Sequence, residues 1–275
     1  MDHMSQSPHV NFIVLGHQRC GSNLVFRALV EHPEVRMLGE VLARNRAIAP
    51  GASGSANPLA WANPPIEGYK LGEDGAAFLE QRIFAADAVP NRHAFGFKLF
   101  YDHARWDSSS RTAWDFLASH DIRVIHLIRR NLLYALISRE VAERTDRWNH
   151  RPTDKTPPPP PPAPFALDPM ACKQYFDEIT ACREAAYKTF AHHKLLSIEY
   201  ERDLCDNFKA TTRRVFEFLD VTPVDSEPRL IKQQKLTAAQ QIANFNDLSL
   251  YFRGTPYAEF FLNADSPEGI RAVAV

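Results

Sequence analysis

The sequence predicts an α/β fold, a P-loop-like parallel sheet flanked by helices on both faces, in one domain spanning residues 1–275. Three observations predict it. Short β-forming apolar runs alternate with helix-periodic stretches, which is the pattern of a parallel sheet wrapped on both sides. A glycine-bounded loop, Gly16 to Gly21, joins the first run to the first helix. The chain has 275 residues, 45% of them hydrophobic, enough to bury one sizeable core.

The elements follow in order. Asn11 to Leu15 (NFIVL) is a continuous apolar run and reads as a buried strand. Ser22 to Glu31, with Leu24, Leu29 and Val30 apolar, reads as a helix stopped by Pro33. Residues 44–91 hold much of the Gly, Ala, Asn and Pro, so loops and short helices are expected there. Ala94 to Tyr101 (AFGFKLFY) is the second strand, and Ser109 is the expected cap of a helix running to His120. Arg123 to Ile128 is the third strand, followed by a long helix from Asn131 to Arg147 with Leu132, Leu136 and Val141 in phase.

Six consecutive prolines, Pro157 to Pro162, interrupt the pattern. They offer no N–H groups, so the stretch at about 147–168 is expected to be a surface loop of polyproline character, either a cover near the mouth of the site or a passive linker. Asp168-Pro169 then starts a helix, Asp as N-cap and Pro in the first turn, that runs to about His192. Leu195 to Tyr200 is the fourth strand and Phe208 to Leu219 a further helix. Two short helical stretches follow, at Ala238–Gln241 and Asp247–Tyr251.

Composition narrows the function. The net charge of −1 gives no global field for nucleic acid or an anionic membrane, so any anion must be held by a local cluster. Cys20, Cys172, Cys182 and Cys205 form no C-x-x-C pair, which points to reduced thiols rather than a zinc site or disulfide frame. The first nine residues lack an apolar signal core, and no apolar run reaches membrane-spanning length. A cytoplasmic protein is expected.

The loop Gly16-His17-Gln18-Arg19-Cys20-Gly21 has the spacing of a nucleotide P-loop, but Ser22 and Asn23 follow where an NTPase carries Lys and Ser/Thr. The lysine that would reach β/γ-phosphates is missing, and the hydroxyl that would hold Mg²⁺ is one place early. Backbone N–H groups, the helix N-terminus and Arg19 still suit a single phosphate. The segment NFIVLGHQRCGSNLVFRAL resembles the 5′-phosphosulfate loop of sulfotransferases, with Gln18, Cys20 and Asn23 as departures. A second resemblance lies in RVIHLIRRN, where Arg130 precedes Ser138 by eight residues, as in the family's 3′-phosphate motif. LLSIEYERDL is similar to a family element whose tyrosine, here Tyr200, lies near adenine. Phe252 to Tyr257 resembles the ending of bacterial carbohydrate and lipo-oligosaccharide sulfotransferases, which makes Arg253 a candidate for closing over the 3′-phosphate.

The resemblance implies a sulfuryl transfer from 3′-phosphoadenosine 5′-phosphosulfate (PAPS) to a hydroxyl of a carbohydrate or other small-molecule acceptor, releasing 3′-phosphoadenosine 5′-phosphate (PAP). No metal is implied. It assigns donor contacts to Arg19, Cys20, Gly21, Ser22, Asn23, Arg130, Ser138, Tyr200 and Arg253. Glu40, at the end of the H-P-x-V-x-x-x-x-E progression from His32, matches the proposed base of trehalose-type and heparan-type members. Arg19 and the strand lysine Lys98 complete the catalytic set. His17 and His103 remain open as alternative bases, His17 also as a group polarising a sulfate oxygen; the register that carries a histidine in cytosolic aryl and steroid members holds Phe100 here. Trehalose-type relatives imply a homodimer. A P-loop-type small-molecule kinase and a non-catalytic nucleotide-binding relative are the competing readings.

Overall fold

In the computed structural model the described residues are 9–43, 69–70, 72–85, 93–105, 107–146, 148, 162–228 and 236–262. Their centre is a five-stranded parallel sheet: β1 (Val10–Gly16), β2 (Val35–Leu38), β3 (Ala94–Phe100), β4 (Arg123–Ile128) and β5 (Leu195–Glu199), in the order β2-β3-β1-β4-β5. The continuous apolar run Phe12 to Leu15 becomes β1 and takes the central place, where both faces are covered. Its register with β3 sets Val14 against Lys98 and Gly16 against Phe100, so the phosphate-loop glycine and the end of the lysine strand finish level.

The sheet has one strand more than the sequence analysis expects. β2 was not anticipated, because Arg36 interrupts the apolar run and four residues are too few for alternation to register. Pairing with β3 from Val35↔Ala94 to Leu38↔Phe97 supplies what the local pattern does not, and the strand at 94 is therefore the third.

Helices divide between the two faces. On one face, α1 (Ser22–Glu31) and α6 (Phe208–Phe218) cover Phe12, Val14, Met37, Ile125 and Ile198. On the other, α2 (Gly75–Phe78) with its π-helical continuation Leu79–Ile83, α3 (Ser108–Ser119) and the end of α5 (Pro169–Thr189) cover Ile13, Leu15, Phe95, Phe97 and Leu99. A third apolar cluster lies beyond the sheet edge. It joins α4 (Leu132–Thr145) and Phe176 of α5 to α7 (Ala238–Gln241), α8 (Phe245–Tyr251) and α9 (Glu259–Leu262).

Several boundaries move for identifiable reasons. Asp107, not Ser109, caps α3: its carboxylate accepts from the Ser110 N–H at 2.7 Å while Ser110 Oγ accepts from the Asp107 N–H at 3.2 Å. Asn131 is the cap of α4 rather than its first residue, and Asp146, with φ 49°, ends that helix before Arg147. α5 stops at Thr189, short of His192. Of the proline stretch, residues 147 and 149–161 lie outside the described residues, as do 44–68. The described end, 162–168, departs from the surface position expected of it: Phe165 and Leu167 are buried in the third cluster, and Phe165 pairs with Ile242 in a parallel bridge.

Candidate anion and acid-base site

The candidate site forms at the C-terminal edge of the sheet, where loops after β1, β3 and β4 converge. β1 ends at Gly16, whose carbonyl accepts the Tyr101 N–H at 3.0 Å and so ties the loop to the end of β3. The loop closes with Cys20 N–H donating to the His17 carbonyl at 3.2 Å. Arg19 holds φ 67° and Gly21 φ 92°, two left-handed residues that turn the backbone into α1. At Gly21 only glycine fits, because a Cβ would fall 2.5 Å from Cδ2 of Tyr200. The N-cap Gly21 offers no side-chain cap to the first turn of α1. Cys20 is buried, which pushes its thiol up to about 11 and keeps it protonated.

Two guanidiniums meet at this loop. Arg129, only 7% exposed, lies over the Tyr200 ring with Cζ 4.6 Å from its centroid and donates from Nη1 to the Arg19 carbonyl at 2.9 Å. Its Nε has no hydrogen-bond partner. Arg19 donates from Nε to Ser138 Oγ at 2.9 Å and from Nη1 to the Trp148 carbonyl at 2.6 Å. Burial, then the charge of Arg129, lowers the Arg19 pKa to about 10. Among the described residues no carboxylate pairs with either arginine, so two neighbouring positive charges stand without a counter-ion.

A second group lies beside them. Lys98, near the end of β3 and 5% exposed, donates from Nζ to Asn23 Oδ1 at 2.7 Å and to Glu40 Oε1 at 3.0 Å. It therefore bridges the first turn of α1 to the carboxylate. Glu40 is anchored from the backbone as well: β2 runs out at Leu38, and the next carbonyl, Gly39, accepts the Lys98 N–H at 3.0 Å. The other Glu40 oxygen, Oε2, is 3.9 Å from Nε2 of His103.

The structure thus brings Arg19, Cys20, Gly21, Ser22, Asn23, Ser138 and Tyr200 to the loop, and Lys98 and Glu40 to one contact. Arg130 does not join them. It is exposed, and its backbone N–H donates to Glu201 Oε2 at 3.0 Å. Arg253 is also exposed, in the turn after α8 that Gly254 closes with φ 79°. Next to Arg130, Asn131 Nδ2 donates to the Phe260 carbonyl at 3.1 Å, which ties the start of α4 to α9.

Sequence reasoning missed Arg129, although β4 offers a signal: the strand ends in two arginines, and only one can follow the buried face. His17 is placed in the loop with its ring buried. Its Nδ1–H donates to the Gln18 carbonyl at 2.8 Å, and burial followed by the Arg129 charge lowers its pKa to about 3. The ring is therefore neutral in this arrangement, with the lone pair on Nε2, which has no hydrogen-bond partner.

No protein-family profile matches the chain. Nodulation protein H of Rhizobium meliloti is 28% identical over 271 residues, covering 95% of this chain and 98% of that protein. Nodulation protein H of Rhizobium tropici is 26% identical over 279 residues, covering 98% and 100%. A third, from Rhizobium meliloti strain 1021, is 33% identical over 153 residues, 54% of this chain and 58% of that one. Among solved structures, a sulfotransferase from Alicyclobacillus acidocaldarius aligns over 93% of this chain and 95% of its own at 14% identity and TM-score 0.46. A mouse sulfotransferase complexed with PAP aligns over 92% and 75% at 10% identity and TM-score 0.40.

Proposed function

We infer that this chain, a relative of nodulation protein H over nearly its whole length, is a sulfotransferase of the PAPS-dependent family. One observation carries the reading: a buried guanidinium, Arg129, beside a second, Arg19, with no carboxylate partner among the described residues, at the end of a glycine loop. Burying such charges unpaired costs several kcal/mol on the order of the desolvation penalty, which an anionic ligand offsets. The orphaned Arg129 Nε and the start of α1, which no side chain caps, fit a phosphate.

We propose that Arg19, Cys20, Gly21, Ser22 and Asn23 hold the 5′ side of PAPS, and that Arg130, Ser138, Tyr200 and Arg253 serve its 3′-phosphoadenosine end. Arg129 is added to the first group. When bound, PAPS supplies an activated sulfuryl group whose S–O bond to the 5′-phosphate breaks as the acceptor oxygen bonds to sulfur. Glu40 takes the proton of the acceptor hydroxyl and returns it to solvent. Arg19, Arg129 and the α1 amides meet the charge that develops on the leaving phosphate. Lys98 holds the ionised Glu40 against the loop through Asn23. Arginine, lysine and amide charge suffice for these roles, so turnover should be insensitive to a chelator.

The acceptor belongs, on this reading, to the carbohydrates or other small hydroxyl compounds. A cytoplasmic location goes with the four free cysteines, two of them buried, and a homodimer with the trehalose-type resemblance. Release of PAP from PAPS, measured across a panel of mono- and oligosaccharides with and without EDTA, tests the reaction. PAP formation that no acceptor stimulates, together with calorimetry showing no PAP binding, would remove the reading; ATP turnover requiring Mg²⁺ would replace it with a kinase.

A further inference from the structure

β3 ends at Phe100, and the next four residues fold back over it. His103 N–H donates to the Phe100 carbonyl at 2.9 Å, the Phe100 N–H donates to His103 Nδ1 at 3.2 Å, and Ala104 closes the turn with φ 51°. The imidazole lies against the Phe100 ring, centroids 5.0 Å apart, and the His103 carbonyl accepts the Trp114 indole N–H at 2.8 Å. These contacts fix a ring that is only 4% exposed.

They also fix its tautomer. Nδ1 accepts, so it has no proton, and the ring proton of the neutral imidazole sits on Nε2. Nε2 is the atom that faces Glu40 Oε2 at 3.9 Å. Burial holds the His103 pKa below its ordinary value, the pull of Asp102 and Glu40 notwithstanding, so the ring stays neutral. A neutral ring whose lone pair is already given to a buried backbone N–H cannot also take a proton from an acceptor hydroxyl. His103 is therefore no base in this arrangement; it is a fixed N–H donor.

We propose that His103 is a positioning residue for Glu40, aiming Nε2–H at Oε2 while Lys98 holds Oε1. The proposal rests on Glu40 being the base. The carboxylate is then gripped from both sides, by a cation on one oxygen and a neutral donor on the other. The 3.9 Å separation exceeds a direct hydrogen bond; a shift of about 1 Å or one bridging water makes the contact. Held at both oxygens, the Glu40 carboxylate loses rotational freedom, which is what proton transfer in a fixed geometry requires.

Two conservative variants separate positioning from scaffolding. His103→Asn places an amide where Nδ1 was, keeping an acceptor for the Phe100 N–H but offering nothing to Glu40. His103→Gln places an amide where Nε2 was, keeping a donor for Glu40 but losing the anchor. The probe is PAPS itself, with PAP release followed in water and with the best acceptor of the saccharide panel. Positioning predicts that His103→Asn lowers kcat at least tenfold with PAP affinity within twofold of wild type, and that His103→Gln restores kcat to within about threefold. The reverse order, or equal kcat in Asn and wild type, overturns the proposal. A Glu40→Gln background keeps the two readings apart. If His103 works through Glu40, adding His103→Asn there costs nothing more. A full additional loss overturns the proposal while leaving Glu40 as base, and wild-type turnover in Glu40→Gln alone removes the base and the proposal with it.

Discussion

Replacing Arg129 with Met tests whether the unpaired guanidiniums await an anion. The substitution keeps length and apolar cover over Tyr200 but removes the charge. In the unliganded protein it loses the bond to the Arg19 carbonyl, about 1 kcal/mol, and the stacking on Tyr200, about 0.5–2 kcal/mol. Against this it removes an unsatisfied buried Nε, about 1–3 kcal/mol, and the repulsion that depresses the Arg19 pKa. The terms nearly cancel, so the melting temperature without ligand should change little. Ligand binding should not be spared. One charge-assisted phosphate contact of about 1.5–3 kcal/mol corresponds to a loss of roughly 10–100-fold in PAP affinity. At a PAP concentration near 100 times the wild-type Kd, ligand stabilisation should fall from about 2.7 kcal/mol toward about 0.4 kcal/mol. Calorimetric titration with PAP and thermal melts with and without it measure both quantities. Unchanged PAP affinity with a lowered unliganded melting temperature would refute the reasoning, making Arg129 a prop for the loop backbone.

Glu40→Gln should lower turnover about 10²–10⁴-fold with PAP affinity nearly unchanged, read from initial rates and calorimetry. Arg130→Met and Ser138→Ala should weaken PAP while leaving AMP binding as it was, since only PAP carries the 3′-phosphate; equal losses for both ligands would take these residues out of that role. Gly21→Ala should cost about 1–3 kcal/mol or more by urea denaturation, because it strains a φ of 92° and drives a methyl into Tyr200. His17 and His126 have folded-state pKa values of about 3 and about 4, both depressed chiefly by burial from 6.5. The unfolded chain therefore takes up these protons first, so stability is full above pH 6.5 and declines as pH falls toward 4, by about 1.4 kcal/mol per pH unit for each histidine. Urea midpoints at pH 7, 6 and 5 should show this, and His17→Asn, which keeps a donor for the Gln18 carbonyl, should make the decline shallower.

What could be read in the sequence followed from strong local signals. β1, its loop and α1 were legible because an apolar run, two glycines and a periodic helix stand in succession. Asp168-Pro169 marked the start of α5 for the same kind of reason. β2 was hidden because its case rests on pairing with β3, a partner nearly sixty residues away. At the site, Glu40 and Lys98 were each visible, but their contact arises only when β2 lies beside β3, and that of Asn23 with Lys98 only when β1 does. His103 stood only as an alternative base, because it is out of register. Register counts residues along a strand, whereas His103 reaches Glu40 by a turn that folds back from the strand end. Arg129 was overlooked for Arg130 because spacing to Ser138 cannot say which of two adjacent arginines turns inward.

The third apolar cluster has a consequence for how the protein is made. The sheet is complete once Glu199 has been synthesised, but the helices that cover α4 come later, with Phe252, Phe260 and Phe261. At about 5–20 residues per second, the ribosome needs roughly 3–12 seconds to travel from Glu199 to Phe260. During that interval α4 carries Leu133, Leu136 and Ile137 with no cover from α8 or α9. Until Phe261 is made the apolar face of α4 lacks its late partners, and exposed apolar surface of that kind is where chaperones bind and aggregation begins.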